Sequence, residues 1–276
     1  MFAPYAYPDT RHLSQLDRAE CISCEKEPWD MRASGISVQE ADQFGVMLAM
    51  QQGLAARRIP FFCDDAPSAL TNLGLSRGGM LTNAAALLFH RFEDALILCR
   101  AYDSPRCDVL IEGADCSGSF STALEEARAF LERHAPRALA IQRENAHEKE
   151  SCIACALGEA LVNALAHRGY EIAEPVRAIV SPGCVRISSP GPYLFDAYVP
   201  SPRKEGAAEA LRDRPAAGAM PTRNALLVQA LYRFGGVDAR GSGMPLIVST
   251  CSYCGLRVSW SNENGHAVIA FEPADE

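Results

Sequence analysis

A chain of 276 residues with a formal net charge of -8 and a pI near 5.3 has no broad basic surface, which excludes general attraction to a phosphate backbone. Its composition, 48% hydrophobic and 22% charged, is that of a globular protein with enough apolar mass for a real core. No apolar run approaches the roughly 18 residues that a membrane helix requires, and the opening MFAPYAYPDTRH lacks the charged-then-apolar order of a secretory signal, so a cytoplasmic location is expected.

Residues 1–35 are proline-spotted and weakly periodic, and they predict a tail or arm. From Ser37 the pattern firms, with helices expected over Val38–Gln52, Ser68–Leu73 and Thr82–Phe89. Three short helices in a row can form a DNA-binding module, but this segment is not basic, so a scaffold is expected. Strands over Ala95–Tyr102 and Asp108–Glu112 come next, then a helix over Ser121–Arg133 with Leu124, Ala127, Phe130 and Leu131 on one stripe, then a strand over Ala138–Arg143. Residues 36–150 therefore read as an α+β region.

The remainder, residues 151–276, is the most legible part. A helix over Cys152–Arg168 precedes strands Val176–Val180 and Cys184–Ser188, joined by Ser181-Pro182-Gly183 as a tight hairpin turn. The segment Pro200–Pro221, rich in Pro, Ala, Gly and charge, reads as a mobile loop. A helix over Arg223–Phe234 leads into the glycine-rich Gly235–Gly243, with Pro245 at the start of another helix and Gly255 at its stop. Strands Leu256–Ser261 and His266–Phe271, turning at Asn262–Gly265, close the sheet. The fold class is α+β.

Eleven cysteines include three pairs with CxxC spacing, Cys21/Cys24, Cys152/Cys155 and Cys251/Cys254, which invite a zinc or redox reading. The last two pairs fall in predicted helices, with no tight turn between the thiols and no histidine at ligand spacing. Small buried apolar thiols are the stronger expectation. The odd total and the missing signal argue against a disulfide framework.

Chemistry concentrates in GEALVNALAHRGY. Glu159, Asn163 and His167 follow i, i+4, i+8 spacing and share one helical face, while Leu157, Leu161, Ala164 and Leu165 lie opposite. The flanks Ala160, Val162 and Ala166 are unsuited to bulk water, so the polar stripe is expected to look into a pocket. The amide oxygen of Asn163 is a hard ligand suited to Mg²⁺ among phosphates, and Glu159 is placed to polarise a water as general base. His167 serves either a phosphate or the helix end. Gly235, Gly236, Gly241 and Gly243 precede a helix start, so backbone amides and a helix N-terminus converge on an anion site that includes Ser242.

EALVNALAHRGY, ISSPGPY, TRNALLVQALYRFGG and ARGSGMPLIVSTCSYCGL together resemble, in order through nearly all of residues 151–272, a divergent GHKL-type (Bergerat) ATPase domain. That domain lies at the C-terminus of bacterial transcriptional regulators and helicase-related proteins. A looser similarity through LTNAAALLFHRFEDA and ALILCRAYD reaches back to about residue 30. The resemblance implies an α/β sandwich of helices on a mixed sheet, binding ATP and Mg²⁺. By position, Glu159 matches the water-activating residue, Asn163 the Mg²⁺ ligand, and Gly241 and Gly243 the phosphate-binding glycines. His167, Gly191, Arg223 and Ser242 complete the implied nucleotide site.

Two departures stand out. Ser189-Pro190-Gly191 occupies the place of an Asp-containing glycine motif that reads adenine, and no Asp is present there. Full-length relatives begin with a Schlafen-type, AlbA-like nucleic-acid-binding domain, for which this chain is too short and too acidic at its start. Of the basic residues Arg203, Lys204, Arg212, Arg214 and Arg223, most are expected to meet solvent and at most one a phosphate.

Two readings follow. One is an ATP-binding regulatory protein, transcription-related and with at most weak hydrolysis, in which nucleotide orders the 200–221 loop and alters homodimer or partner contacts, nucleic acid being reached only through a partner. The other is a nucleotide-free, degenerate GHKL domain that serves as a dimerisation or docking module.

Overall fold

The computed structural model describes residues 27–141, 145–194, 222–235 and 243–274. A 3-10 turn at Trp29–Met31 leads into β1 (Ala33–Ser37), which pairs with β3 (Met80–Thr82), itself paired with β2 (Ser76–Arg77), all antiparallel. Between them lie α1 (Gln43–Ala55) and α2 (Ala66–Asn72), and α3 (Asn83–Phe89) follows. Each of these helices starts on a side-chain cap: Asp42 accepts from Gly45 N, Asp65 from Ser68 N and Thr82 from Ala85 N. The three helices are therefore delimited by their own sequence.

The second sheet has six strands in the order β5-β4-β6-β7-β9-β8, formed by β4 (Phe92–Tyr102), β5 (Leu110–Gly118), β6 (Val176–Ser181), β7 (Cys184–Pro190), β8 (Leu256–Glu263) and β9 (His266–Pro273). Only the β4–β6 pair is parallel. The chain is thus an α+β fold on a mixed sheet. Register alternation places Ile97, Cys99, Val176, Ala178, Val185, Ile187, Ile269, Phe271 and Trp260 on one face, where all are buried. Helices α4 (Phe120–Ala138), α5 (Ala146–Ala166) and α7 (Gly243–Cys254) cover that face, α4 over β4 and β5, α5 over β7, and α7 over β8. The opposite face carries Arg100, Arg177, Arg186 and Arg257, paired with Asp115, Glu174, Glu263 and Glu272.

The hairpin turn predicted at 181–183 forms, with Ser181 paired to Cys184, and the one predicted at 262–265 forms in its last two residues. Asn264 and Gly265 both take positive φ, 50° and 81°, as the two-residue hairpin between β8 and β9 demands. Gly255, at φ 71°, ends α7. Three expectations need correction. The strand expected at Ala138–Arg143 does not form in its described part, because α4 runs on through Pro136 to Ala138 and closes there. Ala140 at φ 51° turns the chain left-handed while Ile141 N donates to Pro136 O and Ala140 N to Arg137 O. The strand expected at Asp108–Glu112 begins at Leu110 and runs to Gly118. Of the arm expected over 1–35, the part from Trp29 is docked structure. The Trp29 ring stacks on Tyr170 at 4.5 Å, and residues 1–26 lie outside the described residues.

Both sides of the expected boundary near residue 151 contribute to this sheet. A single cluster of buried apolar residues runs from Ala41 to Phe271. The remaining helix, α6 (Ala225–Arg233), joins the two parts. Phe234 at its end meets Phe89 edge-on at 5.6 Å, and Arg58 lies over the Tyr232 ring.

Candidate functional site

α5 carries the polar stripe. Leu157, Leu161 and Leu165 are buried on its core side, and the flanks Ala160, Val162 and Ala166 are buried as well. Glu159 and Asn163 are half-buried between those flanks, and His167 at the helix end is exposed. The stripe therefore lies in a trough. Asn163 Nδ2 donates to Glu159 Oε1 at 3.3 Å, which fixes the pair and leaves the Asn163 amide oxygen turned away from it.

The start of α7 lies directly on this pair. A Cβ placed on Gly243 meets Glu159 Oε1 in a contact no real atom sustains, and sits 3.2 Å from Asn163 Nδ2. Glycine lets the α7 backbone and the carboxylate approach this closely, and any side chain here would displace the Glu159 tip. The backbone at the N-terminus of α7 and the carboxylate–amide pair of α5 are thus in contact.

A second group gathers at the other end of the stripe. The Thr222 hydroxyl lies 3.0 Å from His167 Nδ1, donating to it when the ring proton sits on Nε2 and accepting when it sits on Nδ1, and it also accepts from Asn224 N. Arg223 donates to the carbonyls of His167 and Pro192. Its guanidinium carbon lies 3.3 Å from where a Cβ on Gly191 would stand, and Gly191 itself takes φ 90°. Crowding by protein atoms pushes the His167 pKa below its ordinary 6.5, and the Arg223 charge acts in the same direction. The ring keeps an exposed edge, so the push is moderated by solvent.

Glu159, Asn163 and Gly243 are thus brought together at one end, and His167, Gly191 and Arg223 at the other, on one helical face. Gly241, Ser242, the loop 200–221 and its Arg203, Lys204, Arg212 and Arg214 lie outside the described residues.

Several residues that hold this arrangement carry no obvious sequence signal. Ser189, at the adenine-reading position of the resemblance, is buried and donates its hydroxyl to Ala164 O at 2.7 Å, so its side chain is committed to α5. Asn224 Nδ2 donates to Ala166 O and Arg168 O, closing the end of the stripe helix. Arg168 is buried with its guanidinium over the Tyr170 ring. Asp30 receives the amides of Leu226 and Leu227.

Cys251 and Cys254 are buried on α7, whereas Cys155 on α5 is exposed. No group of three His, Cys, Asp or Glu among the described residues is placed to hold a metal ion. A cleft of about 430 Å³ lined by Asn72, Arg77, Gln229 and Arg233 contains no stripe residue. Polar side chains from several segments line that cleft too, and the trough is preferred for the chemistry of its groups, a carboxylate and an amide set against the backbone of a helix start. No described helix is long and apolar enough to cross a membrane.

No family model and no curated protein matches the chain. Among solved structures it is similar to the DIP2311 protein from Corynebacterium diphtheriae, with a TM-score of 0.60 and 17% identity over 94% of this chain and 42% of that one. The likeness is one of fold. The chain spans less than half the length of that neighbour.

Proposed function

We propose that this chain is an ATP-binding regulatory protein of the GHKL (Bergerat) type, with hydrolysis weak or absent. The observation that carries the reading is the contact of Gly243, at the start of α7, with the Glu159–Asn163 pair. A helix start held by a glycine beside a carboxylate and an amide suits a phosphate group with its cation. The residues fit the group: the Asn163 amide oxygen would ligate Mg²⁺, the backbone amides opening α7 would face phosphate oxygens, and His167 and Arg223 would lie toward the other end. Bound ATP with Mg²⁺ would supply the phosphoanhydride and the divalent charge. Glu159 is the base available to take a proton from water, although its Oε1 accepts from Asn163 and lies against Gly243, which limits its reach. A homodimer, a role in transcription reached through a partner, and a cytoplasmic setting belong to the same proposal.

The second reading, a nucleotide-free docking or dimerisation module, draws on the Ser189 hydroxyl. It is spent on Ala164 O, so no carboxylate or free hydroxyl reads an adenine amino group from that position. Calorimetric titration of ATP and ADP with Mg²⁺ separates the two. Binding to the wild type that is lost in Asn163→Ala supports the nucleotide site. Absence of heat with a folded wild type supports the docking module.

A further inference from the structure

We propose that Asp30 is a positioning residue for the candidate site: by capping α6 from a distant part of the chain, it frees Asn224 to hold the His167–Arg223 end of the stripe. A helix start leaves its first amides without intrahelical partners, and the residue in front normally turns its side chain back to satisfy them. Asn224 occupies that place before α6 and is a good cap by type, yet it makes no side-chain cap bond. Its amide instead donates at 3.0 Å to Ala166 O and at 2.9 Å to Arg168 O, on either side of His167.

The vacated duty falls to Asp30, 196 positions earlier, whose Oδ2 accepts from Leu226 N at 2.7 Å and from Leu227 N at 3.1 Å. Both side chains are sealed from solvent, with Asp30 at 0% and Asn224 at 1% exposure, so water replaces neither set of bonds. Two flanking contacts set the position of Asp30. Trp29 stacks on Tyr170 at an interplanar angle of 11°, and Arg32 pairs with Glu171 at 2.9 Å, both partners lying just beyond the stripe helix.

Removing the Asp30 carboxylate strands two buried amides, and Asn224 holds the N-cap position from which a side chain normally accepts from them. Turning back to cap its own helix, Asn224 releases the end of α5, and Thr222 and Arg223 lose their seat against His167. The nucleotide part of this inference rests on the function proposed above, whereas the geometric part does not.

The test reads the His167 imidazole by NMR titration in the full chain, with its signal assigned through His167→Gln, alongside ATP–Mg²⁺ affinity and thermal melting. In Asp30→Ala the His167 pKa is expected to rise toward its ordinary value as the crowding around the ring is relieved and Arg223 withdraws, and the Kd for ATP to rise about fivefold, the weight of one lost cap. Asp30→Asn, which keeps an oxygen for both amides, should hold both values at the wild-type level. An Asp30→Ala protein that melts lower but titrates His167 as the wild type does would overturn the proposal and leave Asp30 a cap alone. If that variant does not fold, Asp30→Ser shortens the acceptor more gently. A risen His167 pKa there supports the proposal, and an unmoved one overturns it. A wild type that binds no ATP removes the nucleotide reading, while the His167 titration still decides the role of Asp30.

Discussion

Gly243 lies so close to the Glu159 carboxylate that a methyl group there must push the side-chain tip aside. Gly243→Ala is expected to destabilise the protein by about 1 kcal/mol, measured by denaturant melts. Glu159→Ala removes the obstructing oxygen, so the double variant should lose less than the sum of the two single losses. Additive losses would show that the contact is not made. His167 gives a second test at this scale. Its folded pKa lies below the ordinary 6.5, so above 6.5 the ring is neutral in both states and its contribution is complete. Below 6.5 the unfolded chain takes up the proton first, and stability falls. His167→Gln should therefore flatten the acid-side fall of the melting temperature, and curves of equal slope would refute the shift. Glu159 and Asn163 were legible because i, i+4 spacing survives without knowledge of the fold. Asp30 and Asn224 were not, since their bonds join segments that nothing in the local sequence associates.

Elements were legible where each carried its own punctuation. Thr82 opens its helix where expected and the Asn264-Gly265 pair announces its hairpin, whereas the starts expected at Val38 and Ser68 passed over the true caps, Asp42 and Asp65. The end of α4 was misread for the complementary reason. No glycine marks its stop, and alternating apolar Leu139 and Ile141 imitate a strand. The structure uses Leu139 as a buried helix cap and forces Ala140 into the left-handed region, where an L-residue with a Cβ is strained. Ala140→Gly should accordingly stabilise the protein by about 1 kcal/mol. A loss of stability on calorimetric melting would mean that the turn is not the one described. Gly158 makes a related point within α5, because a Cβ there comes within 2.8 Å of Arg128 Nε on α4. The Arg128 side chain lying across this position favours a glycine in a helix interior, where propensity alone disfavours it.

At the scale of the whole molecule, sequence reading placed a boundary near residue 151 because the recognisable motifs begin there. Motif density reports where the chemistry lies and says little about where a core ends. β6 is the first strand of the recognisable part, yet it is hydrogen-bonded in parallel to β4 from Ile97–Val176 through Ala101–Val180. A parallel pair needs a long crossover, here α4 and α5, so β4, α4, α5 and β6 form one packing unit that the boundary would cut. Phe130 and Leu131 of α4 are fully buried, as are Leu157 and Leu161 of α5, and α4 packs directly on α5. A chain starting at Ser151 loses β4, all of α4 and the first turn of α5, exposing Val176, Ala178 and Val180 together with an open strand edge. It also loses Asp30, and with it the cap on α6. Residues 151–276 expressed alone are therefore expected to give no cooperative thermal transition and poorly dispersed amide resonances, whereas residues 27–276 should retain both. A sharp melt from the shorter fragment would show that the part bearing the stripe supports its own core. The candidate site would then be portable, independent of the N-terminal segment that here holds one end of it in place.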